Sequence, residues 1–278
     1  MHAGALSVDL ADPRAESLDE TPIYGEPGID APGAWPVTRI TALFGSEVDL
    51  DHAGAEAAAA IGATLPAHER LDVADQDWVR ATQAQFEPVR ITDDLWIVPS
   101  WSRPVDPEAL NLTLDPGLAF GTGSHPTTRL CLRWLAHVDL RRASVLDYGC
   151  GSGILAIAAA RMGAREVKGT DIDPQALVAA TDNARRNGVN VRFVAPDALT
   201  PARFDLVVAN ILANPLVLLA PALAERVNVG GHIVLSGVLE AHAEDVMAAY
   251  RPWFRMTVWQ REDGWVALTG GRARAPER

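Results

Sequence analysis

From Ser144 onward the apolar positions fall into a regular alternation of short runs and helical stripes. Runs at 144–147, 166–171, 191–194, 204–209 and 232–236 predict five strands. Stripes at 154–162, 174–187, 215–227 and 241–250 predict the helices between and after them. Asp173-Pro174 reads as an N-cap followed by the first helical residue, and Asn187-Gly188 as a helix end. Such an alternation predicts a parallel, doubly wound sheet. The chain then closes with runs at 254–260 and 265–269 around Glu262-Asp263-Gly264, a hairpin signal.

The first part of the chain has another texture. Residues 1–75 are acidic, rich in Ala, Gly and Pro, and weakly periodic. One helical stripe at 50–61 stands between short β candidates at 6–10 and 39–44. Residues 75–86 predict a helix with acidic residues in its first turn. A hairpin follows at 89–91 and 95–99 across Asp93-Asp94, and 104–116 reads as a connector. No internal repeat is visible.

Composition narrows the classes. With 278 residues, 48% hydrophobic and 22% charged, the chain can bury a core and is not of disordered composition. The richest apolar run, 211–223, is broken by Asn214, Pro215 and Pro221, too short for a membrane span. No basic-plus-apolar leader opens the chain, so the cytoplasm is the expected location. The two cysteines, Cys131 and Cys150, lack ligand or framework spacing, so neither a disulfide framework nor a metal site is expected. Net charge is −12, unevenly spread: residues 1–110 carry 20 acidic and 6 basic side chains, or −14, and the rest 16 and 18, or +2. That field disfavours bare nucleic acid and attracts a basic partner, although solubility alone would also explain it.

Candidate chemistry lies at strand ends. The first strand of the alternation runs into Asp147-Tyr148-Gly149-Cys150-Gly151-Ser152-Gly153, where glycines allow a sharp turn and close approach of a ligand. Asp171, twenty residues after Gly151, ends the second strand and is placed to accept ribose hydroxyls. Gly151-x-Gly153-x-x-Ala156 also fits a dinucleotide pattern, which keeps a nicotinamide-dependent oxidoreductase open. The fourth strand ends in Asn210-Ile211-Leu212-Ala213-Asn214, and an Asn there faces whatever sits beside a nucleotide. Ahead of the sheet, residues 115–128 form a glycine-rich loop entering a helix at Pro126, able to close over a ligand.

The Asp-x-Gly-x-Gly-x-Gly turn with Asp171 resembles class I methyltransferases that use S-adenosylmethionine. Together with the loop at 118–128 and the strand end at 209–213, it is similar to the ribosomal protein L-eleven methyltransferase family (PrmA type). The resemblance covers about residues 78–270. It implies an α/β fold: a doubly wound Rossmann-like domain at 104–278, a linker helix and hairpin at 76–103, and a small N-terminal α+β, ferredoxin-like recognition domain at 1–75. It implies methylation of lysine side-chain and N-terminal amines of one basic ribosomal protein. Charge and hydropathy argue against direct recognition of nucleic acid and against a membrane, and a monomer is expected. The cofactor contacts that the resemblance implies are Thr128, Gly149, Gly151, Asp171 and Asn210, with Phe120 as a shield and Asn210 also serving catalysis.

Bland readings stand beside these. Phe120 also suits an ordinary core position, Thr128 a hydroxyl bonded to the preceding helical turn, and His125 a structural place at a helix start. Asp197, after the third strand, suits either an adenine contact or a plain loop. Other functions remain: a same-fold methyltransferase for another protein, a nucleic-acid base or a small amine, or a non-catalytic cofactor-binding module. The strand end lacks the aromatic that would stack on a planar acceptor. Against the family pattern, residues 1–8 correspond to the end of a first helix entering a second strand. The expectation is that the physiological start lies upstream and that the N-terminal domain is truncated.

Overall fold

The computed structural model describes residues 3–11, 37–72, 86–115 and 123–272. The chain divides into two compact units, Met1–Asp75 and Gln76–Arg278. In the first, strands β1 (Ser7–Ala11) and β2 (Arg39–Leu43) pair antiparallel, with Val8 opposite Ala42 and Leu10 opposite Ile40. Helix α1 (Leu50–Ala60) starts at Asp49, whose carboxylate accepts the N–H groups of Asp51 and His52 at 3.0 and 3.2 Å. The helix expected at 75–86 lies outside the described residues except for Phe86.

The second unit is built on a seven-stranded sheet. In chain order its elements are α2 (Pro126–His137), β6 (Ser144–Tyr148), α3 (Ile154–Arg161), β7 (Glu166–Thr170), α4 (Pro174–Arg186), β8 (Arg192–Val194), β9 (Phe204–Asn210), α5 (Ala213–Glu225), β10 (Val227–Leu239), α6 (Ala243–Tyr250), β11 (Phe254–Glu262) and β12 (Trp265–Arg272). The order across the sheet is β11-β12-β10-β9-β6-β7-β8. The five strands from β6 to β10 pair parallel with their neighbours, and the closing hairpin pairs antiparallel. The expected α/β, Rossmann-like sheet is therefore present.

Both faces of the sheet are covered, which is why its central strands read as nearly continuous apolar runs. Alternate side chains divide between two cores. Val145, Val208 and Val234 pack with Leu132, Leu135 and Ile157 of α2 and α3. Leu146, Val207 and Leu235 pack with Leu216, Val246 and Tyr250 of α5 and α6. At the amino ends of the strands the Asp205 carboxylate accepts Ser144 N–H and Oγ–H at 2.9 and 2.8 Å, fixing β6 against β9. After β6 the chain winds outward to β7 and β8, then returns to add β9 and β10 on the other side. That reversal leaves a crevice at the carboxyl ends of β6 and β9, where open α/β sheets hold ligands.

Three expectations change. The connector at 104–116 contains a strand: β5 (Leu110–Thr113) pairs parallel with β4 (Leu95–Val98), and β3 (Val89–Thr92) completes a three-stranded sheet. Leu112 is fully buried there, and Ile91, Leu95 and Ile97 of the hairpin join the same core as α2 and α3. Strand β10 begins at Val227 rather than 232, because a register shift between Val227 and His232 absorbs Gly230 and Gly231 within the strand. Helix α5 begins at Ala213, two residues before Pro215; the missing N–H of a proline is harmless in a first turn, where donors have no intrahelical partner.

Candidate functional site

Strand β6 is buried up to Asp147 and delivers the chain into Gly149-Cys150-Gly151-Ser152-Gly153, after which α3 starts at once. Gly149, Gly151 and Gly153 have φ of +75°, +50° and +78°, the left-handed region. The turn is pinned to the next strand, since the Gly149 and Cys150 N–H groups donate to Thr170 O at 2.8 and 3.0 Å. From α4, Asn183 Nδ2 donates to Ser152 O at 2.9 Å. A β-carbon at Gly149 would stand 2.3 Å from Cγ2 of Ile211, so only glycine fits.

Two carboxylates organise this turn. Asp171, one residue beyond β7, accepts Gly151 N–H on Oδ2 at 2.8 Å and Asp173 N–H on Oδ1 at 3.0 Å. Each oxygen keeps a lone pair for a further donor. Asp147 is fully buried and accepts Ala156 N–H on Oδ2 at 3.0 Å, supplying the cap that Gly153 lacks for α3. Its Oδ1 has no hydrogen-bond partner. Burial pushes the Asp147 carboxyl up to about 7; the Ala156 bond opposes that push and the Asp171 charge adds to it. Burial likewise drives the Cys131 and Cys150 thiols far above their ordinary range, so neither is a thiolate nucleophile.

Across the crevice, β9 ends at Asn210. Its Nδ2 lies 3.4 Å from Oγ1 of Thr128, a fully buried residue in the first turn of α2. Asn210 Oδ1 is buried without a donor. His125 is the N-cap of α2: its Nδ1 accepts Thr127 N–H at 3.3 Å and lies 2.8 Å from Thr127 Oγ1. The ring packs edge-on against Trp265, with centroids 4.9 Å apart. Burial, then the Arg129 charge, lowers the imidazole pKa below its ordinary value. Two further α2 side chains reach the closing hairpin: Arg129 Nε and Arg133 Nη1 donate to the two oxygens of Glu262 at 2.7 and 2.6 Å. Arg133 Nε also donates to Ile91 O at 3.1 Å, tying α2 to β3.

A family model described as ribosomal protein L11 methyltransferase (PrmA) matches residues 1–273. The chain belongs to this family. Curated relatives of that name agree. The protein from Cupriavidus necator is 53% identical over 275 residues, 98% of this chain and 92% of the relative. The one from Thiobacillus denitrificans is 54% identical over 272 residues, covering 97% and 92%. The crystal structure of a ribosomal protein L11 methylase from Lactobacillus delbrueckii subsp. bulgaricus superposes with a TM-score of 0.63 and 34% identity, over 68% of this chain and all of that one. As a member of the L11 methyltransferase family, the chain is an S-adenosylmethionine-dependent protein methyltransferase.

The residues picked from the sequence meet in one line of contacts. Thr128 touches Asn210; Ile211, next in the chain, abuts Gly149; and Gly151 is held by Asp171. Phe120 lies outside the described residues. Asp197 stands exposed in the 3-10 turn Pro196–Ala198 after β8. His125 takes the structural place, capping a helix. Sequence reasoning missed Ile211 as a contact of the glycine turn and Glu262 as the anchor of α2. An apolar residue beyond a strand end and an acid in a hairpin carry no local signal of either role.

Proposed function

We propose that this chain transfers methyl groups from S-adenosylmethionine to amines of ribosomal protein L11, at lysine side chains and the N-terminus. One observation carries the reading: Asn210 presents a buried acceptor oxygen with no donor, on the strand that borders the glycine turn. An amine N–H supplies what that oxygen lacks. The site also fits the cofactor. Gly149 yields its side-chain space to Ile211, Gly151 adds no side chain to the turn, Asp171 has lone pairs for the ribose, and Thr128 with Asn210 closes the opposite wall.

The bound cofactor supplies a methyl on a positively charged sulfur, an excellent leaving group, so the protein's task is alignment. The attacking amine must be neutral, whereas a lysine has a reference pKa of about 10.4. Asn210 Oδ1 accepts an N–H of that amine and leaves the nitrogen lone pair facing the methyl; the strand-end carbonyls expected to share this role do not, since Ile211 O packs against Gly237 and Leu212 O accepts Leu216 N–H at 3.1 Å. Water takes the proton, since no strong base stands at the strand end. The acidic residues 1–110 attract the basic substrate, and the reaction belongs to the cytoplasm, where ribosomal proteins are made. The test is incubation of the purified chain with methyl-labelled cofactor and purified ribosomal proteins. Label on L11 is the expected result; label only on another protein or on RNA overturns the substrate assignment.

A further inference from the structure

Ile211 is the first residue beyond β9, and two glycines from different strands make room for it. On one side, its Cγ2 methyl occupies the space of a side chain at Gly149 in the turn after β6, 2.3 Å from where a β-carbon would stand. On the other, its carbonyl oxygen, carbonyl carbon and nitrogen lie 2.3, 2.7 and 3.0 Å from where a β-carbon of Gly237 would stand. Gly237 has φ +81° and sits in β10 where the register against β12 slips between Leu235 and Val238. One residue is thus held between the glycine turn and a bulge in the next strand. Gly237 is the backstop for its main chain, and Gly149 receives its methyl.

The chemistry of the side chain suits a spacer. A β-branched residue has a stiff χ1, so Cγ2 is located by the backbone and not by a mobile chain of torsions. Whatever position Ile211 takes therefore passes directly to the turn that contacts Asp171. The same residue follows Asn210 without an intervening torsion-rich linker, so turn and acceptor group move together.

We propose that Ile211 is a positioning residue, whose γ2 methyl sets the separation between the cofactor turn and the Asn210–Leu212 strand end. This inference rests on the assignment of Asn210 to the amine side of the site. It predicts that β-branching at position 211 matters more than volume. Ile211→Val and Ile211→Thr keep Cγ2, whereas Ile211→Leu keeps every carbon of the side chain but moves the methyls beyond Cγ.

The experiment compares the full chain and these variants by calorimetric binding of S-adenosylmethionine, by melting temperature and by kcat and KM for L11. Val and Thr should bind cofactor within about twofold of the parent. Leu should bind roughly tenfold more weakly and lose about tenfold in kcat, since misplacement of about an ångström costs up to about a hundredfold. The melting temperature of Leu should stay near the parent's, because volume-conserving apolar swaps are well tolerated, and that of Val, which loses a methylene, should be no higher than Leu's. Should Leu fail to fold, Ile211→Ala, which removes Cγ2 without adding bulk, should show the same weak binding. If Leu or Ala binds and turns over like Val, the side chain only fills space and the proposal is wrong. A parent chain that binds cofactor but leaves L11 unlabelled overturns the substrate reading instead, and the Val–Leu difference in affinity still decides the positioning role of Ile211.

Discussion

The Asn187 side chain and the Thr113 main chain exchange two hydrogen bonds, Thr113 N–H to Oδ1 at 2.8 Å and Nδ2 to Thr113 O at 2.7 Å. An amide side chain thereby imitates a strand neighbour for the last residue of β5. The same Nδ2 also donates to Asn183 O at 2.9 Å, and Asn187 is only 6% exposed. A helix end thus anchors the point from which the chain leaves for the glycine-rich segment. Asn187→Ala should cost about 2–4 kcal/mol, since each buried group left unpaired costs about 1–3 kcal/mol. Urea denaturation checks this; a loss below about 0.5 kcal/mol, the range of ordinary surface changes, would show the pair to be incidental. Asn187→Asp should be worse, having no N–H for Thr113 O.

Asp171 holds two main-chain N–H groups and has lone pairs left for a ligand. Asp171→Ala should weaken S-adenosylmethionine binding by about 1.5–3 kcal/mol, the worth of hydrogen bonds to a charged group. Asp171→Asn should do no better, because turning an amide N–H toward Gly151 or Asp173 sets donor against donor. Calorimetry measures both, and unchanged affinity in folded variants removes Asp171 from the site.

The buried Asp147 carboxyl should leave a mark on stability against pH. Its folded-state pKa, about 7, lies above the ordinary value of 3.8, so the folded chain binds the extra proton between those values. Stability from this group is full below pH of about 4, falls as pH rises toward 7, and is flat above. Asp147→Asn should therefore remove a downward slope between pH 4 and 7. Parallel denaturation midpoints of the two proteins across that window would show that Asp147 does not titrate there.

Glu262 neutralises two arginines of α2 whose side chains are 20% and 28% exposed. Glu262→Ala should destabilise the chain by about 1–3 kcal/mol, less than a fully buried pair because water reaches the arginines. It should also raise the KM for cofactor, since α2 carries Thr128. Loss of stability with an unchanged KM would confine Glu262 to holding the fold.

If the acidic N-terminal region recruits the substrate, added salt should slow methylation of the whole protein, because exposed charges are screened over about 8–10 Å near physiological ionic strength. A short peptide carrying the same lysine should respond less. Equal sensitivity of the two points to the Gln76–Arg278 unit as the source of attraction.

The glycine turn and Asp171 were legible because their constraint is local: left-handed φ demands glycine, and one strand–helix–strand unit sets the spacing to the acid. Asn210 was legible from its place at a strand end and Thr128 only through resemblance, but their contact, across 82 residues, was not legible at all. Nothing in residues 211 and 237 says that β10 will lie beside β9 with a bulge opposite Ile211. Nor does Glu262 announce its partners, which depend on β12 inserting between β10 and β11. Strand β5 was hidden for another reason: its apolar alternation is short and flanked by Asp and Pro, and its pairing partner precedes it across a loop.

That insertion orders events during synthesis. Arg129 emerges 133 residues before Glu262, so a growing chain makes α2, the turn and Asn210 while the clamp on α2 does not yet exist. Until the final hairpin arrives, β10 is an open edge and two arginines lack their acid. A product cut short after α6 would carry every proposed cofactor contact and yet lack the Glu262 clamp on α2, leaving the Arg133 bond to Ile91 O and core packing to hold Thr128. The closing hairpin thus ties the placement of Thr128 to a segment made after the rest of the site.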